Sequence, residues 1–98
     1  MTHYHRALEL APYSYLTHNN LGKMFMEEGD LERAARHFSK VIEIEPDFGD
    51  AHFNLGVVRT DQGSIENAIA SFRKALQLNP NNQEARQRLA LLLEKVNP

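Results

Sequence analysis

The sequence predicts an all-α fold: a stack of antiparallel helix-turn-helix repeats, six helices in a single domain of 98 residues. Two observations carry this. Pro12, Pro46 and Pro80 stand at a constant spacing of 34 residues. The same shift takes Leu21-Gly22 to Leu55-Gly56 and on to Leu89-Ala90, Gly29 to Gly63, Ala34 to Ala68, and Tyr4 to Phe38 and Phe72. A fixed period of this length, with small residues, aromatics and a closing proline in constant places, marks a stacked array of helical hairpins.

Taken in order, residues 1–14 read as the second helix of a partial repeat. Tyr4, Ala7, Leu8 and Leu10 align with Phe38, Val41, Ile42 and Ile44 of the next second helix. Pro12 ends it, because a proline pushes the residue before it away from helical angles. Either this helix caps the array or a longer protein was cut here. Residues 15–48 form a full repeat. Ser14 is placed to cap a helix over Tyr15 to Glu28, Gly29 to end it, and Asp30 to cap the next. Glu32 suits the positive end of that second helix, whose buried stripe is Leu31, Ala34, Ala35, Phe38, Val41 and Ile42. Residues 49–82 repeat the plan. Gly56 allows close backbone approach, Gly63-Ser64 forms the turn and cap, and Ala68, Ile69, Phe72, Ala75 and Leu76 form the stripe. Residues 83–98 give a first helix without a second, with Ala85, Leu89, Leu92 and Val96 on one face. Leu92 and Leu93 are expected to face partly toward a missing partner helix.

These residues closely resemble the tetratricopeptide repeat family. The signature stands as Asn54-Leu55-Gly56, Gly63, Ala68, Phe72, Ala75 and Pro80, preceded by Asn20-Leu21-Gly22, Phe25, Gly29, Ala34, Phe38 and Pro46. Arg59 departs from it: its counterparts are Phe25 and Leu93, and the family usually places an aromatic there. The resemblance covers nearly the whole chain. It implies a right-handed superhelical stack (an α-solenoid) in which the first helices of successive repeats line a concave groove that binds proteins or peptides.

Composition narrows the function. A formal net charge of −2 gives no whole-chain bias toward nucleic acid or an anionic membrane. The absence of cysteine excludes disulfides and thiolate metal sites. No apolar run approaches the ~20 residues of a membrane helix, and the N-terminus lacks a signal-peptide pattern. The expectation is a soluble, cytoplasmic chain. There is no phosphate-binding loop, no nucleophile elbow and no Cys/His pair, so no enzymatic activity, catalytic residue or cofactor is expected. Of the five histidines, His3 and His5 do not share a helix face, and His18 and His52 are equivalent positions in successive repeats. Packing roles are expected for these and no metal site.

The groove face implied by the resemblance carries the candidate peptide-binding residues Asn19, Asn20, Lys23, Phe53, Asn54, Val57, Arg88 and Leu91. Asn20 and Asn54 lie one period apart and stack on one wall. Their amides either hold a peptide backbone by donating and accepting or bond locally between helices. Phe53, Val57 and Leu91, with Met26, are expected to form a pocket for an apolar side chain. Asn54 and Arg88 match by position the clamp that some family members close on a terminal carboxylate. Asn19 and Lys23 stand in swapped order, and Glu84 and Asp50 oppose an anion, so ordinary surface charge is the preferred account. Glu27, Asp50, Asp61 and Glu84 outnumber Lys23, Arg88 and Lys95, which favours a ligand with basic character. The leading reading is a protein-interaction scaffold for a partner's peptide segment or helix. The alternatives are a structural module that associates, as a homo-oligomer, through its terminal helices, or a substrate-recruiting arm of a larger enzyme.

Overall fold

The computed structural model describes residues 14–96, and all its regular structure there is helical. Five helices follow one another: α1 (Tyr15–Glu28), α2 (Leu31–Ile44), α3 (Gly49–Asp61), α4 (Ile65–Leu78) and α5 (Gln83–Val96). The expected six therefore become five among the described residues, because the helix read over 1–11 lies outside them. Helices α1 and α2 pair as one hairpin and α3 and α4 as a second, with α5 against α4.

Local chemistry sets the boundaries. The Ser14 hydroxyl accepts from the Thr17 amide at 3.2 Å, and Gly29 ends α1 in the left-handed conformation at φ 84°. The Asp30 carboxylate accepts from the Arg33 amide at 3.2 Å and so caps α2. Gly63 repeats the left-handed turn at φ 81°. Ser64 occupies the cap position of α4, but its side chain makes no cap hydrogen bond, contrary to the role expected of it. Asn82 takes that role at α5, accepting from the Ala85 amide at 3.0 Å. Removing a cap whose bond is formed leaves a helix-end donor unsatisfied. Asp30→Ala should thus lower the unfolding free energy by about 1 kcal/mol, and Ser64→Ala by much less. Urea titration of the two variants checks the contrast.

Packing is local and sequential. The extensive contacts run between consecutive helices, and α1 also reaches α3. The radius of gyration is 14.4 Å, against about 12–13 Å for a compact chain of this size. Two separate apolar clusters replace a central core. One joins Ala34 and Phe38 of α2 to Leu55 and Val58 of α3, with Phe25 and Met26 of α1 against it. The other joins Ala68, Ile69 and Phe72 of α4 to Ala85 and Leu92 of α5, with Phe53 and Val57 of α3 against it. Leu92, expected to be partly uncovered, is only 3% exposed because Ile69 and Phe72 receive it. Leu93 is half-buried on the same cluster. Two large apolar side chains of α5 stand out: Leu91, at 60% exposure, and Val96, expected on the stripe but exposed at the helix end.

The histidines pack as expected in the described region. His52 is buried, its Nε2 2.9 Å from the Pro46 carbonyl oxygen. The Nδ1 atoms of His18 and His37 approach to 3.1 Å across the α1–α2 hairpin. One ring must donate and the other accept, so the contact requires at least one neutral imidazole. Burial pushes both below the ordinary value of 6.5; the charge of His37 and then of Lys40 adds to this at His18, and Arg36 adds to it at His37. The folded state then binds fewer protons than the unfolded one below pH 6.5. The hairpin's stability is fully present above that pH and falls as pH drops through the lowered folded values. Wild-type protein should therefore show a lower urea midpoint at pH 5 than at pH 7.5, and His37→Gln should show a smaller difference. Equal pH dependence in both would contradict this account.

Candidate functional site

The direct contact of α1 with α3 defines one side of the stack, the side of the first helices. The residues singled out by sequence stand on the first helices α1, α3 and α5, and the structure divides them into two groups.

The first group is polar and uncommitted. Asn20 is exposed and Asn54 half-buried, and neither side chain makes a hydrogen bond within the described residues. Lys23 is exposed and has no ion pair among the described residues. Arg88 is engaged: its Nε donates to Glu84 Oε2 at 3.2 Å, and its guanidinium lies 5.9 Å from the centre of the Phe53 ring.

The second group is absorbed by packing. Phe53 meets Phe72 edge-on at 5.6 Å, and Val57 lies on the same cluster. Met26 packs on the other cluster. Of the apolar pocket expected from Phe53, Val57, Leu91 and Met26, Leu91 alone is largely exposed. The ring of Phe53 is held by that of Phe72, which the lack of a Cβ at Gly56 admits against α3. Asn19 is also inside, 6% exposed, with its Oδ1 buried and without a hydrogen-bond partner. It is unavailable as a surface clamp residue. Among the described residues no group of three or more His, Cys, Asp or Glu side chains could hold a metal ion, and no helix is long and apolar enough to cross a membrane.

Sequence reasoning did not locate one further feature, centred on α2. A broad open depression of about 870 Å³ is lined mainly by α2, with His18 of α1 and Arg59 and Gln62 from the end of α3. Arg33, Arg36 and Lys40 line it from α2, and Arg59 from α3. Its signals in the sequence are the i, i+3, i+7 spacing of Arg33, Arg36 and Lys40 and the departure of Arg59 from its apolar counterparts.

The family match spans the two hairpins: residues 19–83 fit the tetratricopeptide repeat. The chain belongs to the tetratricopeptide repeat family. No curated protein matches it. Among solved structures, the first tetratricopeptide domain of Spaghetti (RPAP3), bound to the HSP90 peptide SRMEEVD, superposes with a TM-score of 0.87 at 19% identity, covering 97% of this chain and 75% of that one. A MamA mutant superposes with a TM-score of 0.81 at 29% identity, covering 95% of this chain and 51% of that one. The chain thus spans about half the length of the MamA chain. Membership explains the paired close contacts of the two hairpins. Gly22 faces Phe38 and Gly56 faces Phe72 at the same repeat position, each where a Cβ would sit within 3 Å of the ring.

Proposed function

We propose that this tetratricopeptide repeat domain is a non-catalytic protein-interaction module. It holds an extended segment of a partner protein along the side formed by α1, α3 and α5, the concave side of a right-handed superhelical stack. The observation that carries this is the pair of amides, Asn20 and Asn54, one repeat apart and without hydrogen bonds among the described residues. Each can donate to a peptide carbonyl and accept from a peptide N–H. Lys23 and Arg88 flank them as donors, and Leu91 offers an apolar contact. The peptide bound by the structurally similar Spaghetti domain supports the class of ligand. The Arg88–Glu84 ion pair and the acidic lean of this side disfavour a terminal carboxylate and favour a neutral or basic segment.

The test is capture from lysate of the source cells, read by mass spectrometry, comparing wild type with Asn20→Ala/Asn54→Ala. Two backbone-holding amides at roughly 0.5–1.5 kcal/mol each predict a loss of about 5- to 150-fold in capture. Partners that persist unchanged in the double variant, with helical circular dichroism intact, would place binding elsewhere.

A further inference from the structure

The depression on α2 is a second surface, with a mainly cationic lining, and we propose that it docks an acidic, extended segment of a partner protein, independently of Asn20, Asn54 and Arg88. Arg33, Arg36 and Lys40 stand at i, i+3 and i+7 on α2, a row about 10 Å long. Arg59 joins it from α3. Against these four cations stand the lining carboxylates Glu32 and Glu43. Arg33 pairs with Asp30 at 3.5 Å and Lys40 with Glu43 at 3.3 Å. Arg36 and Arg59 have no ion pair among the described residues, and the Nε of Arg59 is buried without an acceptor. A bound carboxylate would supply the counter-charge that Arg36 and Arg59 lack.

Charge and spacing select the occupant. Alternate side chains of an extended strand repeat at about 6.6–6.8 Å, so the row spans a short run of carboxylates on one chain. The carboxylates on this molecule's own groove side, Glu27, Asp50, Asp61 and Glu84, are spread over three helices and offer no such run. Residues 1–13 hold a single carboxylate, Glu9. Single-stranded nucleic acid is disfavoured because the aromatic nearest the row is already occupied: Phe25 stacks on His37 at 5.5 Å and is covered by Arg33. The two surfaces thus sort ligands by sign, with acidic segments on the α2 depression and neutral or basic ones at Asn20 and Asn54.

Fluorescence anisotropy with a labelled hexaglutamate peptide tests this on the whole chain. Wild type should bind at ~0.05 M salt and release the peptide at ~0.5 M. Arg36→Glu, a change confined to the surface, should weaken binding about tenfold or more, and Arg59→Gln should weaken it with helical circular dichroism retained. Partner capture by the groove should be unchanged in Arg36→Glu. Four outcomes overturn the proposal: no binding by wild type; a loss that follows Asn20→Ala/Asn54→Ala or Arg88→Ala instead; a labelled oligothymidylate of equal charge bound more tightly; or a wild-type mass above the monomer that Arg36→Glu returns to the monomer, which assigns the face to a second copy.

Discussion

Phe72→Ala should lower the unfolding free energy by about 3–5 kcal/mol, the range for deleting a buried aromatic ring. The ring is fully buried and belongs to the cluster shared by α3, α4 and α5. Phe53 meets it at 5.6 Å, and Gly56 of the same helix lies close against it. A linear stack has few ways to close the resulting cavity, because each hairpin touches only its neighbours. A domain of this size has roughly 5–15 kcal/mol in total, so this one side chain accounts for a large share. Urea denaturation followed at 222 nm measures it. A loss under about 1.5 kcal/mol would mean that α5 or Phe53 moves in to refill the space, and that the junction is softer than its packing implies.

Gly22→Ala should destabilise by about 1–3 kcal/mol, the usual range for overpacking, although helix propensity alone predicts a gain of about 1 kcal/mol. The sign is decided by one contact. A Cβ on Gly22 would lie 2.6 Å from Cε1 of Phe38 and 2.8 Å from two further ring atoms. Phe38 is 0% exposed, so its ring has no open space to enter. The helices must separate, which loosens the α1–α2 hairpin. In a Phe38→Leu background the same substitution should cost much less, and the double-mutant cycle isolates the contact. A stabilising Gly22→Ala in the wild-type background would refute the close approach.

Both predictions rest on features legible in the sequence. The period of 34 places Gly22 and Gly56 in one column and Phe38 and Phe72 in another. Helix α1 runs from Tyr15 to Glu28, as its caps Ser14 and Gly29 indicate, because capping depends on a few adjacent backbone groups. The family follows from the same spacings.

The candidate site was legible only in part. Spacing and the family resemblance together put Asn20, Asn54 and Lys23 on one side, and they have no side-chain partners among the described residues. It could not assign Phe53, Asn19 or Leu92. A helical wheel gives a direction, while burial depends on what the neighbouring helix puts opposite. Phe72 draws Phe53 inward, Ile69 and Phe72 cover Leu92, and Leu91 one position away is left exposed. Nor could it pair His18 with His37, nineteen residues apart, or show Arg59 joining the row on α2. What the sequence by itself determined was therefore the repeat, its helices and its family, since these follow from short-range propensity and a regular period. Only the tertiary structure decided which apolar residues remain for a partner and where charge of each sign collects. Both depend on side chains from different helices meeting in space.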